Sequence, residues 1–171
     1  MIRKTMYAFL ALVLSVSALL LPASAMDMGV QSALRLSPVN VEQSLIGARI
    51  DKFPYVITPK GGFGFENRDN GDNLTVFTVG CGMDYYMAGD DKSLKPYAGA
   101  DLLLDFVDKD DSDSSLSLIP HIGAEYWLHE NFSLGADVGL QMGFGDYYDS
   151  DFRFGTAGTI HATYYFGGER Q

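Results

Sequence analysis

The chain of 171 residues has a single cysteine, Cys81, so no internal disulfide can form and no cysteine-rich zinc site can be built. Basic residues are scarce as well. Lys plus Arg total 12 against 22 Asp plus Glu, a formal net charge of -10, which argues against any partner held mainly through phosphates and so against nucleic acid. Only 20% of residues are charged while 47% are hydrophobic, too apolar for a disordered chain and enough for one domain. Beyond residue 26 no stretch of 18 apolar residues remains, so no helix there can span a bilayer, and helical periodicity is missing too.

What is present begins with an address. Arg3 and Lys4 precede an apolar run from Met6 to Leu21, followed by Pro22 and by Ala23-Ser24-Ala25, small residues where a signal peptidase requires them. The run is short for a membrane anchor and ends in an A-x-A site, so residues 1–25 are expected to be a secretory signal peptide cleaved after Ala25, with Ala23 and Ala25 as the recognition positions. No cysteine lies near the site, which excludes a lipoprotein. Loss of Arg3 and Lys4 leaves an exported chain, residues 26–171, that is more acidic still.

The exported chain repeats with period two, the mark of strands whose faces meet different environments. The clearest run is 132–145, where Phe132, Leu134, Ala136, Val138, Leu140, Met142 and Phe144 alternate with Ser133, Gly135, Asp137, Gly139, Gln141, Gly143 and Gly145. The same alternation marks 55–66, 75–87, 97–107, 116–128 and 152–166, and more weakly 28–36 and 44–51, for eight strands in all. Short connections at Asp51 to Pro54, Ala88 to Lys95 and His129 to Asn131 alternate with polar, acidic ones at Ser37 to Gln43, Asn67 to Asn73, Asp108 to Ser114 and Asp146 to Asp151. Short turns at one rim and polar loops at the other predict an all-β fold, an eight-stranded antiparallel up-and-down transmembrane barrel.

The charges decide which face points inward. A soluble lipocalin-like barrel would turn its apolar face in and its charges out. Here the non-aliphatic face is rich in glycine and carries Arg35, Arg49, Lys60, Glu66, Asp84, Asp101, Asp105, His121, Glu125, Asp137, Arg153 and His161, with both signs interspersed. Small residues make room for long charged ones in a narrow lumen, and opposite charges there must pair. The aliphatic face is then left for hydrocarbon, where only a closed barrel satisfies every backbone group. Aromatics gather near the strand ends, with Tyr55, Tyr85, Tyr86, Tyr97, Tyr126, Trp127, Phe132, Tyr164, Tyr165 and Phe166 by the short-turn rim. Phe65, Phe106, Phe144, Tyr147, Tyr148, Phe152 and Phe154 lie by the loop rim, and two such bands are expected at membrane interfaces.

The runs Leu45-Ile46-Gly47-Ala48-Arg49, Gly61-Gly62-Phe63-Gly64-Phe65, Pro96-Tyr97-Ala98-Gly99-Ala100-Asp101 and Ile122-Gly123-Ala124-Glu125-Tyr126-Trp127-Leu128 resemble the small outer-membrane β-barrel domain family, whose better-known relatives are the OmpA-barrel, OmpX and OmpW proteins. The resemblance spans nearly all of residues 28–166. It implies the fold, an outer-membrane location and contact with outer-membrane lipids, but marks no catalytic position. It also implies that the insertion machinery reads the last strand, here ending at Phe166, although Gly167 to Gln171 follow.

Chemical motifs are few. His121, Glu125 and Asp137 share the inward face with Ser117 and Ser133, so a Ser-His-acid relay has to be weighed, and His161 lies on the same face. No such group appears on the outward face, where a lipid-modifying site would need it. Asp108 to Asp113 is acidic enough to suggest calcium, but Asp113 stands where an EF-hand needs glycine and no glutamate closes the loop, so a solvated loop is expected. Gly61-Gly62 and the glycines at 80 and 82 precede no helix, which removes a phosphate-loop reading. Pro59 within a strand predicts a bulge or a local break in pairing.

No cofactor or metal is expected, and no enzymatic activity. The expected protein is a monomeric outer-membrane barrel with both termini periplasmic and a structural or surface-interaction role. The alternatives are a narrow gated channel for small solutes, a lipid-modifying enzyme and a soluble lipocalin-like binding barrel.

Overall fold

The computed structural model describes residues 27–37, 42–67, 73–87, 93–108, 112–145 and 152–166. The positions Ala23 and Ala25, the tyrosines 147 and 148 and the tail after Phe166 lie outside them. Eight strands are present, β1 (Asp27–Leu36), β2 (Gln43–Lys52), β3 (Tyr55–Asn67), β4 (Asn73–Tyr86), β5 (Leu94–Asp108), β6 (Ser112–His129), β7 (Phe132–Gly145) and β8 (Phe152–Phe166). Each pairs antiparallel with its neighbours in sequence, and β1 pairs with β8 from Met28↔Phe166 to Leu36↔Gly158, so the sheet closes on itself.

Alternation in the sequence becomes alternation in space because successive side chains of a strand point to opposite faces. Along β2, Gln43, Leu45, Gly47 and Arg49 are buried while Ser44, Ile46 and Ala48 are exposed. The outside is aliphatic and aromatic on every strand: Ile46 is 65% exposed, Phe65 68% and Ile122 63%. Two interior apolar patches, Leu74 with Val76 and Val107, and Leu103 with Ile119 and Ala157, share the lumen with its polar groups.

Two turns at the short-turn rim are tied to the barrel wall. Phe53 and Pro54 make a tight β2–β3 turn whose Pro54 carbonyl accepts the Tyr86 amide at 2.8 Å, and the Asn131 carbonyl of the β6–β7 turn accepts the Tyr165 amide at 2.9 Å. Each turn is thereby bonded to the strand beyond it. The only described positive-φ residue is Gly145, at the end of β7 (φ 127°), a conformation that L side chains rarely adopt.

The expected aromatic band at the short-turn rim is corrected. Tyr86, Tyr97 and Tyr165, expected in an interfacial band, point into the lumen and are at most 3% exposed, because they occupy inward positions of the alternation. Trp127 also points inward, where its ring lies against Tyr165 with centroids 4.7 Å apart. Tyr55, Tyr85, Tyr126, Tyr164 and Phe166 do face outward at that rim. Of the two outcomes expected at Pro59, the local break in pairing is the one present: the β2–β3 ladder lacks pairs between Gly47↔Lys60 and Ile50↔Ile57, then resumes in the same register with no bulge. The register shift falls instead between Trp127 and His129.

Inward glycines set how much side chain the lumen can hold. A Cβ on Gly80 would overlap the Leu102 carbonyl oxygen and come within 2.6 Å of Leu103, whereas one on Gly158, which faces outward, would meet nothing closer than 3.7 Å. Gly80→Ala is therefore expected to destabilise the barrel by about 1–3 kcal/mol through overpacking, and Gly158→Ala to leave stability almost unchanged. Urea unfolding in detergent micelles, followed by the fluorescence of the lone tryptophan, Trp127, measures both.

Candidate functional site

The lumen holds the only concentration of charged chemistry among the described residues. At its short-turn end Arg49, on β2, reaches across to Glu125 on β6. The guanidinium is bidentate, Nη2 to Oε2 at 2.8 Å and Nη1 to Oε1 at 3.2 Å, while Nε donates to Asp51 at 3.0 Å. Arg49 is 1% exposed and Glu125 fully buried. Glu125 also accepts hydrogen bonds from the hydroxyls of Tyr86 and Ser133, and from that of Tyr165 at 3.4 Å. The guanidinium carbon stands 5.4 and 5.6 Å from the centres of the Tyr86 and Tyr165 rings, within reach of a cation–π attraction.

Midway along the lumen lie three more pairs, each joining strands that are not neighbours. Lys60 of β3 donates to both oxygens of Asp101 on β5, at 2.7 and 2.9 Å. His121 of β6 places Nε2 2.8 Å from Asp84 of β4, and its Nδ1 lies 3.1 Å from the Ile119 carbonyl. Tyr97 of β5 donates to Asp137 of β7 at 3.2 Å, with His161 Nδ1 4.0 Å from the same carboxylate. Glycines make the room. A Cβ on Gly82 would collide with Asp101, on Gly99 with Asp84 and on Gly135 with the His161 ring, and one on Gly123 would stand 2.6 Å from Tyr97.

Toward the polar-loop end, Asp105 accepts from Gln43 at 3.2 Å, from Thr78 and more loosely from Ser117 at 3.5 Å. Arg35 is equally buried but contributes only an ion pair to it, with Nη2 3.8 Å from Oδ2 and no hydrogen bond to its nitrogens. Arg153, expected among the inward charges, is exposed at the start of β8, where its inward position lies at the rim. Glu66 pairs with Leu74 in the β3–β4 ladder, and its side chain lies outside those described.

This arrangement does not assemble a nucleophile. Asp137 does stand opposite Gly123, one inward position from His121 and Glu125, as the hairpin spacing implies. Yet His121 turns to Asp84, Ser133 to Glu125, and Ser117 to Asp105 and to Gln141 at 3.1 Å, so no Ser-His-acid relay forms among the described residues. No group of His, Cys, Asp and Glu among them could hold a metal ion, and Asp108 to Asp113 falls partly outside them. The sequence reading missed the three lumenal tyrosines as hydrogen-bonding partners. Their inward parity, two residues from Asp84, Gly99 and Thr163, was the available signal.

Glu125→Ala would leave the Arg49 guanidinium buried beside a lost acceptor, and an uncompensated buried charge costs about 3–5 kcal/mol. That loss is expected in micelle unfolding. Replacing both partners at once, Arg49→Met with Glu125→Leu, is expected to recover most of it.

No protein-family model matches the chain, and no curated protein does. Solved structures do match. Neisserial surface protein A is 16% identical, with 82% of this chain and 96% of that one aligned at a TM-score of 0.56. A major outer membrane protein from Thermus thermophilus is 13% identical over 83% of this chain and 100% of that one, at 0.54. The Yersinia pestis outer membrane protein Ail, in a phospholipid bilayer nanodisc, is 12% identical over 83% of this chain and 100% of that one, at 0.50. At such identities the likeness speaks for the fold: the chain has the fold of the small outer-membrane β-barrels.

Proposed function

We propose that the protein is an integral outer-membrane barrel with a structural or surface-interaction role. The observation that carries this reading is the inversion of faces. A closed barrel exposes aliphatic and aromatic side chains on every strand and buries Arg35, Arg49, Asp105 and Glu125. Water would penalise such an outside, and hydrocarbon would not. Two solved structures of the same fold are outer membrane proteins, which supports that location. By the pattern of such barrels, the short turns and both termini face the periplasm and the acidic loops face outward.

The lumen serves as a charged packing core. Eight strands leave an interior wide enough for side chains, while water-filled porin channels use about sixteen or more. Arg49, Tyr86, Tyr97, Leu103 and Glu125 all lie in that interior, which supports a barrel that is not a general porin. The surface role draws on the acidic composition of the loops and on the likeness in fold to a Neisserial surface protein. No enzymatic step is assigned, since the polar groups pair with one another.

Expression of the full chain in a Gram-negative host, followed by gel electrophoresis of the outer-membrane fraction with and without boiling, tests the reading. A folded band that migrates apart from the boiled one is expected. A periplasmic protein with no shift would mean that the outward face meets water. In planar bilayers the purified barrel is expected to give no porin-sized conductance. Val138→Arg, at an exposed position midway along β7, is expected to destabilise the inserted barrel by about 2–4 kcal/mol.

A further inference from the structure

A closed barrel in hydrocarbon has every reason to keep its backbone ladders unbroken, because an unpaired N–H or C=O has no water to turn to. Among the described residues, two of the eight ladders are interrupted in their interior, and both interruptions face a proline. Between β2 and β3 the pairs opposite Thr58 and Pro59 are missing. Between β6 and β7 pairing stops at Leu118↔Met142 and resumes at His121↔Gly139, leaving out Ile119 and Pro120. Register is kept across both gaps, so neither is a bulge. Proline has no N–H to donate, and mid-strand it removes a ladder hydrogen bond.

Three details separate these gaps from chance fraying. Each proline keeps its pairing on the other side, Pro59 with Cys81 and Pro120 with Ala100, so the loss is confined to one junction. Pro96, at the start of β5, interrupts nothing and pairs with Ala124. The β2–β3 and β6–β7 junctions are also four apart in a ring of eight, which puts the gaps on opposite walls. Behind the first lie inward Arg49 and Thr58, whose buried hydroxyl has no hydrogen-bond partner, and behind the second Ile119 and Gln141.

We propose that the two proline gaps are paired release points, at which β2 parts from β3 and β6 from β7 while the other six junctions stay zipped. Opening on opposite walls lets the cross-section of the barrel change and the lumenal side chains repack without global unfolding. The inference rests on the ladders alone and stands whatever the acidic loops bind.

Hydrogen exchange on the full barrel folded in micelles tests it. The amides of β2 and β7 that face the gaps are expected to exchange on the order of a hundredfold faster than amides at the same depth in the β4–β5 ladder, such as those around Val79↔Leu104. Pro59→Val, which restores an N–H on an outward position, is expected to slow exchange at the β2–β3 junction only, and Pro120→Val at β6–β7 only. Equal protection at all junctions of the wild type would overturn the proposal. So would folded valine variants whose exchange is unchanged at the matching junction. If a valine variant does not fold, the wild-type map decides by itself.

Discussion

Closure of the sheet is the constraint on which everything else depends. Once β1 pairs with β8, every strand has two partners, and a slip of one residue at any junction would turn a whole strand inside out. On β6 such a slip would move His121 and Glu125 to the apolar exterior and bring Leu118 and Ile122 into the lumen. The cost of exposing a buried carboxylate to hydrocarbon makes the register a matter of charge as much as of hydrogen bonding. The inward charges therefore specify the barrel whether or not each pair adds net stability.

The pairs also act across the lumen. Arg49 with Glu125 ties β2 to β6, Lys60 with Asp101 ties β3 to β5, Asp84 with His121 ties β4 to β6, and Tyr97 with Asp137 ties β5 to β7. None of these contacts joins adjacent strands, so they brace the wall where the ladders cannot. Long side chains can reach the middle only where a facing strand withdraws its own, and Gly82, Gly99, Gly123 and Gly135 provide that withdrawal. Glycine weakens a strand by its entropy, and in this lumen the weakness is offset by the polar contacts it admits.

Much of this was legible in the sequence because the side-chain period of a strand is two, and membrane and lumen impose opposite demands on its faces. Alternation from Phe132 to Phe144 placed β7 correctly, and the parity of the charges fixed the inside. The first strand and the rim positions were harder. β1 is short and its outward face of Met28, Val30, Leu34 and Leu36 is interrupted by Ser32, and Arg153 has inward parity but sits where the lumen ends. Pairing partners were illegible for a different reason. Which carboxylate His121 meets depends on tilt and stagger around the closed wall, and these bring β4 rather than β7 to its ring. The tyrosines escaped because a ring near a strand end reads as interfacial even with inward parity, and its partners in the lumen come from strands far away in sequence.

The charge of the chain is divided between two compartments with different rules. Of the 22 acidic residues, ten lie in the four segments Ser37–Gln43, Asn67–Asn73, Asp108–Ser114 and Asp146–Asp151, against two basic residues there, Arg68 and Lys109. In the lumen, Asp84, Asp101, Asp105 and Glu125 pair with His121, Lys60, Arg35 and Arg49, and Asp137 accepts the Tyr97 hydroxyl. The acidity of the protein is thus a property of the end that bears the polar connections. A barrel that pairs its charges internally can vary its loops without disturbing its fold.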